Sequence, residues 1–290
     1  MKPGPFEYHC PDTAADAVRL LAELGDEAKV LGGGQSLIPM LALRLTAFDH
    51  LVDVSRIAEL QGIQRRNGSL WVGAGTTEAA VEHSPEVSAA VPLLTAVSPY
   101  IGHLQIRNRG TLGGSIAHAD PAGEYPTVAL ALDATMEVLS PTGSRAIAAS
   151  EFFEGLWTTT MKPDELLVGV SFPVWTGRCG FATEQFARRH GDFAIAGAVV
   201  GVELDGDDVR RCAIGLLGLG ATPERATAAE THVAGRAVAE VDAREVGGLA
   251  MESLGSVPTD SHGTADYRKR VGAAMVARAW DRAITEARSA

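Results

Sequence analysis

Two glycine-rich segments, far apart in the chain, limit what this sequence can fold into. The first reads Leu31-Gly-Gly-Gly-Gln-Ser-Leu-Ile-Pro39. A short strand-like run at 29–31 breaks on Gly32, Gly33 and Gly34; the polar pair Gln35-Ser36 then opens an apolar run, 37–45, at helical spacing. Three residues without a Cβ let backbone N–H groups converge on an anion. Ser36 adds a hydroxyl at the positive end of the following helix. The segment reads as a pyrophosphate cradle or as a tight turn, and alone it does not separate the two. The second segment reads Arg109-Gly-Thr-Leu-Gly-Gly-Ser-Ile-Ala-His-Ala-Asp-Pro-Ala-Gly-Glu-Tyr-Pro126. Gly113-Gly114-Ser115 offers another backbone nest, flanked by the hydroxyls of Thr111 and Ser115. Asp120 and Glu124 can accept hydrogen bonds from ribose hydroxyls. Two such loops suit a long dinucleotide gripped from two sides. Gly33→Val or Gly114→Val is expected to fill the phosphate approach and abolish binding.

Other chemistries fit these loops less well. No Gly-Lys pair occurs, so neither loop is a Walker A motif. Gly73-Ala-Gly75 begins a GxGxxG pattern that ends at Glu78. Gly113-Gly114-Ser115-Ile116-Ala117 is one glycine short of a nucleophile elbow, and nothing singles out a base for Ser115. His118, Asp120 and Glu124 read either as metal ligands or as polar groups that organise a loop. Glycine supplies 32 of 290 residues, against about 7% in an average chain; that surplus favours close backbone approaches. With 36 acidic and 25 basic residues the net charge is −11, which argues against nucleic acid and anionic lipid as partners. No apolar run is long enough for a membrane span, and none marks a leader. Cys10, Cys179 and Cys212 are too few and too scattered for an iron–sulfur or zinc site of their own. A cytoplasmic location is expected.

Periodicity divides the chain near 173–180. Before it, residues 13–24 fit a helix capped by Asp12 or Thr13, and 51–54, 70–72 and 166–172 fit strands. Thr76 or Thr77 caps a short helix that ends near Ser84-Pro85, and 130–139 passes from helix to strand. After the division, 181–187, 195–204 and 209–219 read as three strands, two of them joined by an acidic turn at 205–208. The remainder is helical. In 267–287, Val271, Met275 and Ala279 share one face, and Arg268, Arg278, Arg282 and Arg288 give the helix a solvated side. Arg188-Arg-His-Gly-Asp192-Phe193 reads as a loop whose aromatic ring can shield a flat ligand or simply fill a surface turn.

Taken together, residues 33–39 (Gly-Gly-Gln-Ser-Leu-Ile-Pro) and 111–122 (Thr-Leu-Gly-Gly-Ser-Ile-Ala-His-Ala-Asp-Pro-Ala) resemble the FAD-binding medium subunit of the molybdenum hydroxylases, the family of carbon monoxide and xanthine dehydrogenases. Residues 188–194 and 265–270 resemble its C-terminal domain. The resemblance implies an α+β fold with a two-subdomain FAD domain of the vanillyl-alcohol-oxidase (PCMH) type, 1–175, divided at about 55. A smaller C-terminal domain, 176–290, follows, with a three-stranded antiparallel sheet and helices. It implies an electron-transfer flavoprotein with no acid or base catalyst of its own. The partners it implies are a large molybdopterin subunit and a small subunit with two 2Fe–2S clusters, assembled as a dimer of heterotrimers in the family's manner. Carried over by position, Gly32, Gly33, Gly34, Gln35 and Ser36 hold the FAD pyrophosphate, with backbone contacts from Lys29, Val30 and Leu31. Thr111, Gly113, Gly114 and Ser115 form the second clamp, near His118 and Asp120, and Glu124 takes the adenosine ribose. Ile101, Gly102 and Phe193 lie beside the isoalloxazine. Glu184 stands where some family members carry a lysine, and that role is not carried over. The alternatives are a self-contained flavin oxidase of the same fold and an assembly module without cofactor.

Overall fold

Thr13 starts the first helix as its spacing predicts. It is extended, and its hydroxyl accepts from the Asp16 N–H at 3.0 Å, so Ala14–Leu24 begins at a satisfied cap. The computed structural model describes residues 2–290. The helix stops at Gly25, φ +57°, a conformation that favours glycine. Its buried stripe of Ala14, Ala17, Val18 and Leu21 packs against Val52 and Val54. Burying a leucine such as Leu21 stabilises by roughly 2 kcal/mol. Three parallel strands carry this helix: Glu7–His9 and Ala28–Leu31 flank the central His50–Asp53. The strand Ala28–Leu31 runs directly into Gly32, and the helix Leu37–Leu43 follows. That helix ends before the expected residue 45 because Arg44 turns left-handed, φ 59°.

A second sheet is antiparallel, in the order Ile63–Arg66, Ser69–Gly73, Leu166–Pro173, Thr135–Ser140, Gly143–Ala148. Short helices between 78 and 131 cover it, and Leu93, Leu94, Leu112, Tyr125 and Phe152 are fully buried in this core. Thr77, rather than Thr76, caps the helix Glu78–Glu82.

A third sheet pairs Arg178–Phe186, Ala196–Asp205 and Asp208–Leu217 in an antiparallel meander. The three strands expected there are present, but a fourth, Glu224–Arg225, pairs with the edge. Two residues are too short to give a periodic signal, so the expected three-stranded sheet is corrected to four. The helices Thr227–Val233, Ala243–Glu252 and Ala265–Ser289 cover one face. Gly180 admits the long helix: a Cβ there would lie 1.9 Å from the Ala283 carbonyl oxygen. On the other face, Gly215 lies under Thr127 and Ala131 of the helix Glu124–Ala131.

The expected solvated side of the last helix needs one correction. Arg268 is only 5% exposed. One of its nitrogens donates to the carbonyls of Ile195 at 2.5 Å and Gly218 at 3.1 Å, and the other donates to Asp260 at 2.7 Å. A planar guanidinium can satisfy three acceptors converging from two strand ends and a loop, so it is drawn inside. Among the described residues, no helix is long and apolar enough to cross a membrane.

Candidate functional site

The two glycine segments meet. Gly33 presses on the second loop so closely that a Cβ would lie 2.0 Å from the Arg109 carbonyl oxygen and 2.7 Å from the Gly110 Cα. A Cβ on Gly32 would lie 3.2 Å from the Thr111 hydroxyl. The reason glycine is needed at 33 is therefore loop-to-loop contact. The expectation that a side chain there would fill the phosphate approach is corrected by this direction. Gly34 holds φ +73°, which turns the chain into the next helix.

The loops differ in what they offer a ligand. Among the described residues, the backbone N–H groups of 32–37 donate to no protein acceptor. Ser36 caps nothing with its hydroxyl, and Gln35 reaches back to the Gly33 carbonyl at 3.0 Å. This is a run of free donors at a helix start, the arrangement that binds phosphates. In the second loop the donors are already used. Gly113 N–H donates to Ala74 O at 2.9 Å, Gly114 N–H to the Thr111 hydroxyl at 3.0 Å, and Ser115 N–H to Thr111 O at 2.9 Å. The second nest expected from the sequence is therefore a capped helix, Leu112–His118, with Thr111 as its cap. Gly113 is buried against Ala74, whereas Gly114 is exposed and Ser115 half-exposed. What this loop presents outward is a bare glycine and a hydroxyl.

An open cleft of ≈ 460 Å³ lies between the loops, lined by Gly33, Gly34, Gln35, Ile38, Pro39 and Arg109. Arg109 was not picked out in the sequence, although it is the one cation in the second motif. It is exposed and stands beside the free donors.

Residues further along the second segment act mainly on the loop itself. Asp120 accepts the Ala122 N–H at 2.9 Å and the Trp157 indole N–H at 3.1 Å. His118 stacks on Trp157 with centroids 6.0 Å apart. Burial lowers the His118 pKa; Asp120 opposes the shift and nearby Lys29 adds to it. Lys29 also lies 5.7 Å over the Phe48 ring, while Val30 and Leu31 are half-buried in their strand. Trp157 gives no sequence signal, because its partners lie 37 or more positions away.

Glu124 is not presented to the cleft. It is buried and accepts from the Gln185 amide at 3.3 Å, so the ribose contact expected of it has no exposed carboxylate to use. Burial is the main cause that pushes its pKa up to about 7. Behind the second loop lies a second buried carboxyl, Glu78. Its N–H donates to Gly110 O at 2.9 Å, and its carboxyl packs on the Gly110 Cα. Burial first, then Glu124, raises its pKa to about 8, against the pull of Arg107. Its Oε2 has no hydrogen-bond partner among the described residues.

A third group gathers beside these loops. Gly102 has φ +51° and packs on Ile106, and its carbonyl lies 2.6 Å from where a Cβ on Gly191 would sit. The loop around 188–193 is thus held against Gly102 and His103, with His190 stacked on Tyr100 at 6.4 Å. Phe193 is 65% exposed on that loop. Glu184 is ion-paired with Arg282.

Residues 4–175 match the family described as the FAD binding domain in molybdopterin dehydrogenase, which is more than half of the chain. The chain belongs to this family. Residues 181–283 match the CO dehydrogenase flavoprotein C-terminal domain. Similar proteins include the 6-hydroxypseudooxynicotine dehydrogenase complex subunit alpha of Paenarthrobacter nicotinovorans, 40% identical over 99% of this chain and 97% of that one. The carbon monoxide dehydrogenase medium chain of Hydrogenophaga pseudoflava is 36% identical over 96% of this chain and 97% of that one. A solved carbon monoxide dehydrogenase from Hydrogenophaga pseudoflava, lacking the Mo-pyranopterin moiety of its cofactor, superposes with a TM-score of 0.96. It is 37% identical, with 99% of both chains covered. A member of the molybdopterin dehydrogenases is an oxidoreductase chain, and this one carries the FAD-binding part. The residues present fit that cofactor: free N–H donors, a neighbouring arginine and bare glycines leave room and charge for a pyrophosphate.

Proposed function

We propose that this chain is the electron-transfer medium subunit of a heterotrimeric molybdenum hydroxylase. In this reading it takes electrons from 2Fe–2S clusters of a small partner subunit and passes them to an external acceptor. A large molybdopterin subunit selects the substrate. The FAD domain is of the vanillyl-alcohol-oxidase type. The observation that carries the reading is the contact of Gly33 with Arg109 and Gly110, which sets free N–H donors of one loop against a second, capped loop.

Bound FAD supplies the redox chemistry, accepting and releasing electrons, so the chain needs no acid–base residue of its own. Residues 32–36 bind the pyrophosphate through backbone N–H groups and the Ser36 hydroxyl, and Arg109 adds charge. Gly114 and Ser115 supply the opposite wall, with Thr111 and Gly113 holding that wall in shape. Lys29, Val30 and Leu31 deliver the strand that aims the first loop. His118, Asp120 and Trp157 brace the second loop. Ile101, Gly102 and Phe193 form an apolar edge for the isoalloxazine and keep water from it.

Isolation of the untagged protein from its host tests this reading. Recovery with two further chains, one holding iron–sulfur clusters and one molybdopterin, together with flavin absorption, is the expected result. A yellow single chain that oxidises an alcohol unaided would replace the reading with a self-contained oxidase.

A further inference from the structure

The first sheet carries a cluster that flavin binding does not use. Glu7 and His9 lie two positions apart on one strand, so both point to the same face. His50 is the register partner of Glu7 on the central strand. His9 Nε2 and His50 Nδ1 face each other at 3.1 Å, and Glu7 Oε2 lies 3.6 Å from His50 Nδ1. One ligand atom from each residue falls within 4.8 Å of the other two. Tyr8, on the opposite face, bonds to Asp53 instead and takes no part.

From these positions we infer that Glu7, His9 and His50 form a binding site for a divalent metal ion of the zinc class. Two imidazole nitrogens and a carboxylate oxygen are a donor set that suits Zn(II). Imidazole nitrogens sit about 2.0–2.1 Å from zinc, so two on one ion stand about 3–3.4 Å apart. The 3.1 Å separation already present matches that spacing. A single proton shared by the two rings leaves the Glu7 carboxylate unserved, whereas one cation serves all three groups. Glu7 is exposed, with 75% of its side chain open, so the ion keeps access to water at its remaining positions. The two strands are joined here by backbone pairing, and the ion adds a second clasp between the strand Glu7–His9 and the strand His50–Asp53. His50 stands at the start of that central strand, level with Ala28, while Leu31 and the glycine loop lie at its far end. Metal binding is therefore expected to leave the flavin cleft unchanged.

The test is zinc titration by calorimetry of the chelator-treated, flavin-loaded full chain. One equivalent bound per chain is expected. His9→Ala or His50→Ala should weaken binding at least tenfold, Glu7→Gln should weaken it less, and Cys10→Ser should leave it unchanged. Flavin content and visible spectrum should match the parent protein in every variant. In the unaltered protein, zinc should shift the imidazole resonances of His9 and His50 and no other histidine, a readout that needs no variant. Absence of stoichiometric uptake overturns the inference. So does uptake that survives both histidine substitutions, or zinc that shifts other histidines instead.

Discussion

At Gly33 a single missing methyl decides whether two loops can touch. Gly33→Ala puts a Cβ 2.0 Å from a backbone oxygen that cannot move aside as a side-chain tip can. The expected result is purified protein with less than a tenth of the parent's flavin, read as absorption per chain, while its circular dichroism is retained. Gly248→Ala, where a Cβ meets nothing within 4 Å, is the control and should keep full flavin content. Glu78 offers a test of a different kind. Burial raises its pKa to about 8, so the folded chain prefers the neutral acid. That preference stabilises fully below the ordinary carboxylate range and is lost as pH rises through about 8. Glu78→Gln cannot ionise. Its melting temperature should fall less than the parent's between pH 5 and pH 9, and should exceed it at pH 9. The difference scales at about 2–4 °C per kcal/mol for a chain of this size. A variant that tracks the parent across the whole range would show that Glu78 titrates normally.

Among the elements, those with local signals were legible. Thr13 announces its helix because the cap and the apolar stripe are adjacent in sequence. The strand before Gly32 is legible because glycine interrupts it, and the long strands after 178 are legible from their apolar runs. The features that were missed depend on distant partners. Trp157 braces Asp120 and His118 from another part of the chain. The edge strand Glu224–Arg225 exists only because Asp208–Leu217 offers it an open ladder. The nest expected at 113–115 looked free because the sequence cannot show that Ala74 O and Thr111 already receive its N–H groups. Arg268 was misread for the same reason, since helical spacing assigns a side without naming what that side meets. Removing it leaves the carbonyls of Ile195 and Gly218 buried without a donor. Arg268→Ala should cost on the order of 3 kcal/mol in urea unfolding. Arg268→Lys should recover only part of this, because an ammonium lacks the planar fork.

Among the described residues, three larger sheets and one two-stranded sheet are present, and two glycines let helices come close to the third sheet. Gly180 lets the last helix lie directly on its sheet, and Gly215 lets that sheet lie against the helix Glu124–Ala131. Gly180→Ala should therefore lower stability by about 1–3 kcal/mol, the usual cost of overpacking. Flavin content per folded chain should stay unchanged, because the cleft lies elsewhere. A variant that lost flavin without losing stability would contradict this separation.

The meeting of Gly33 with Arg109 also decides how the cleft is assembled. One wall of the cleft ends a strand of the parallel sheet, and the other begins a helix that covers the antiparallel sheet. The parallel-sheet half supplies most of the cleft lining and its free N–H groups, and the other half adds Arg109 and the capped loop. The cleft is therefore complete only once the two halves have docked, so flavin is expected to be held best after that seam has closed.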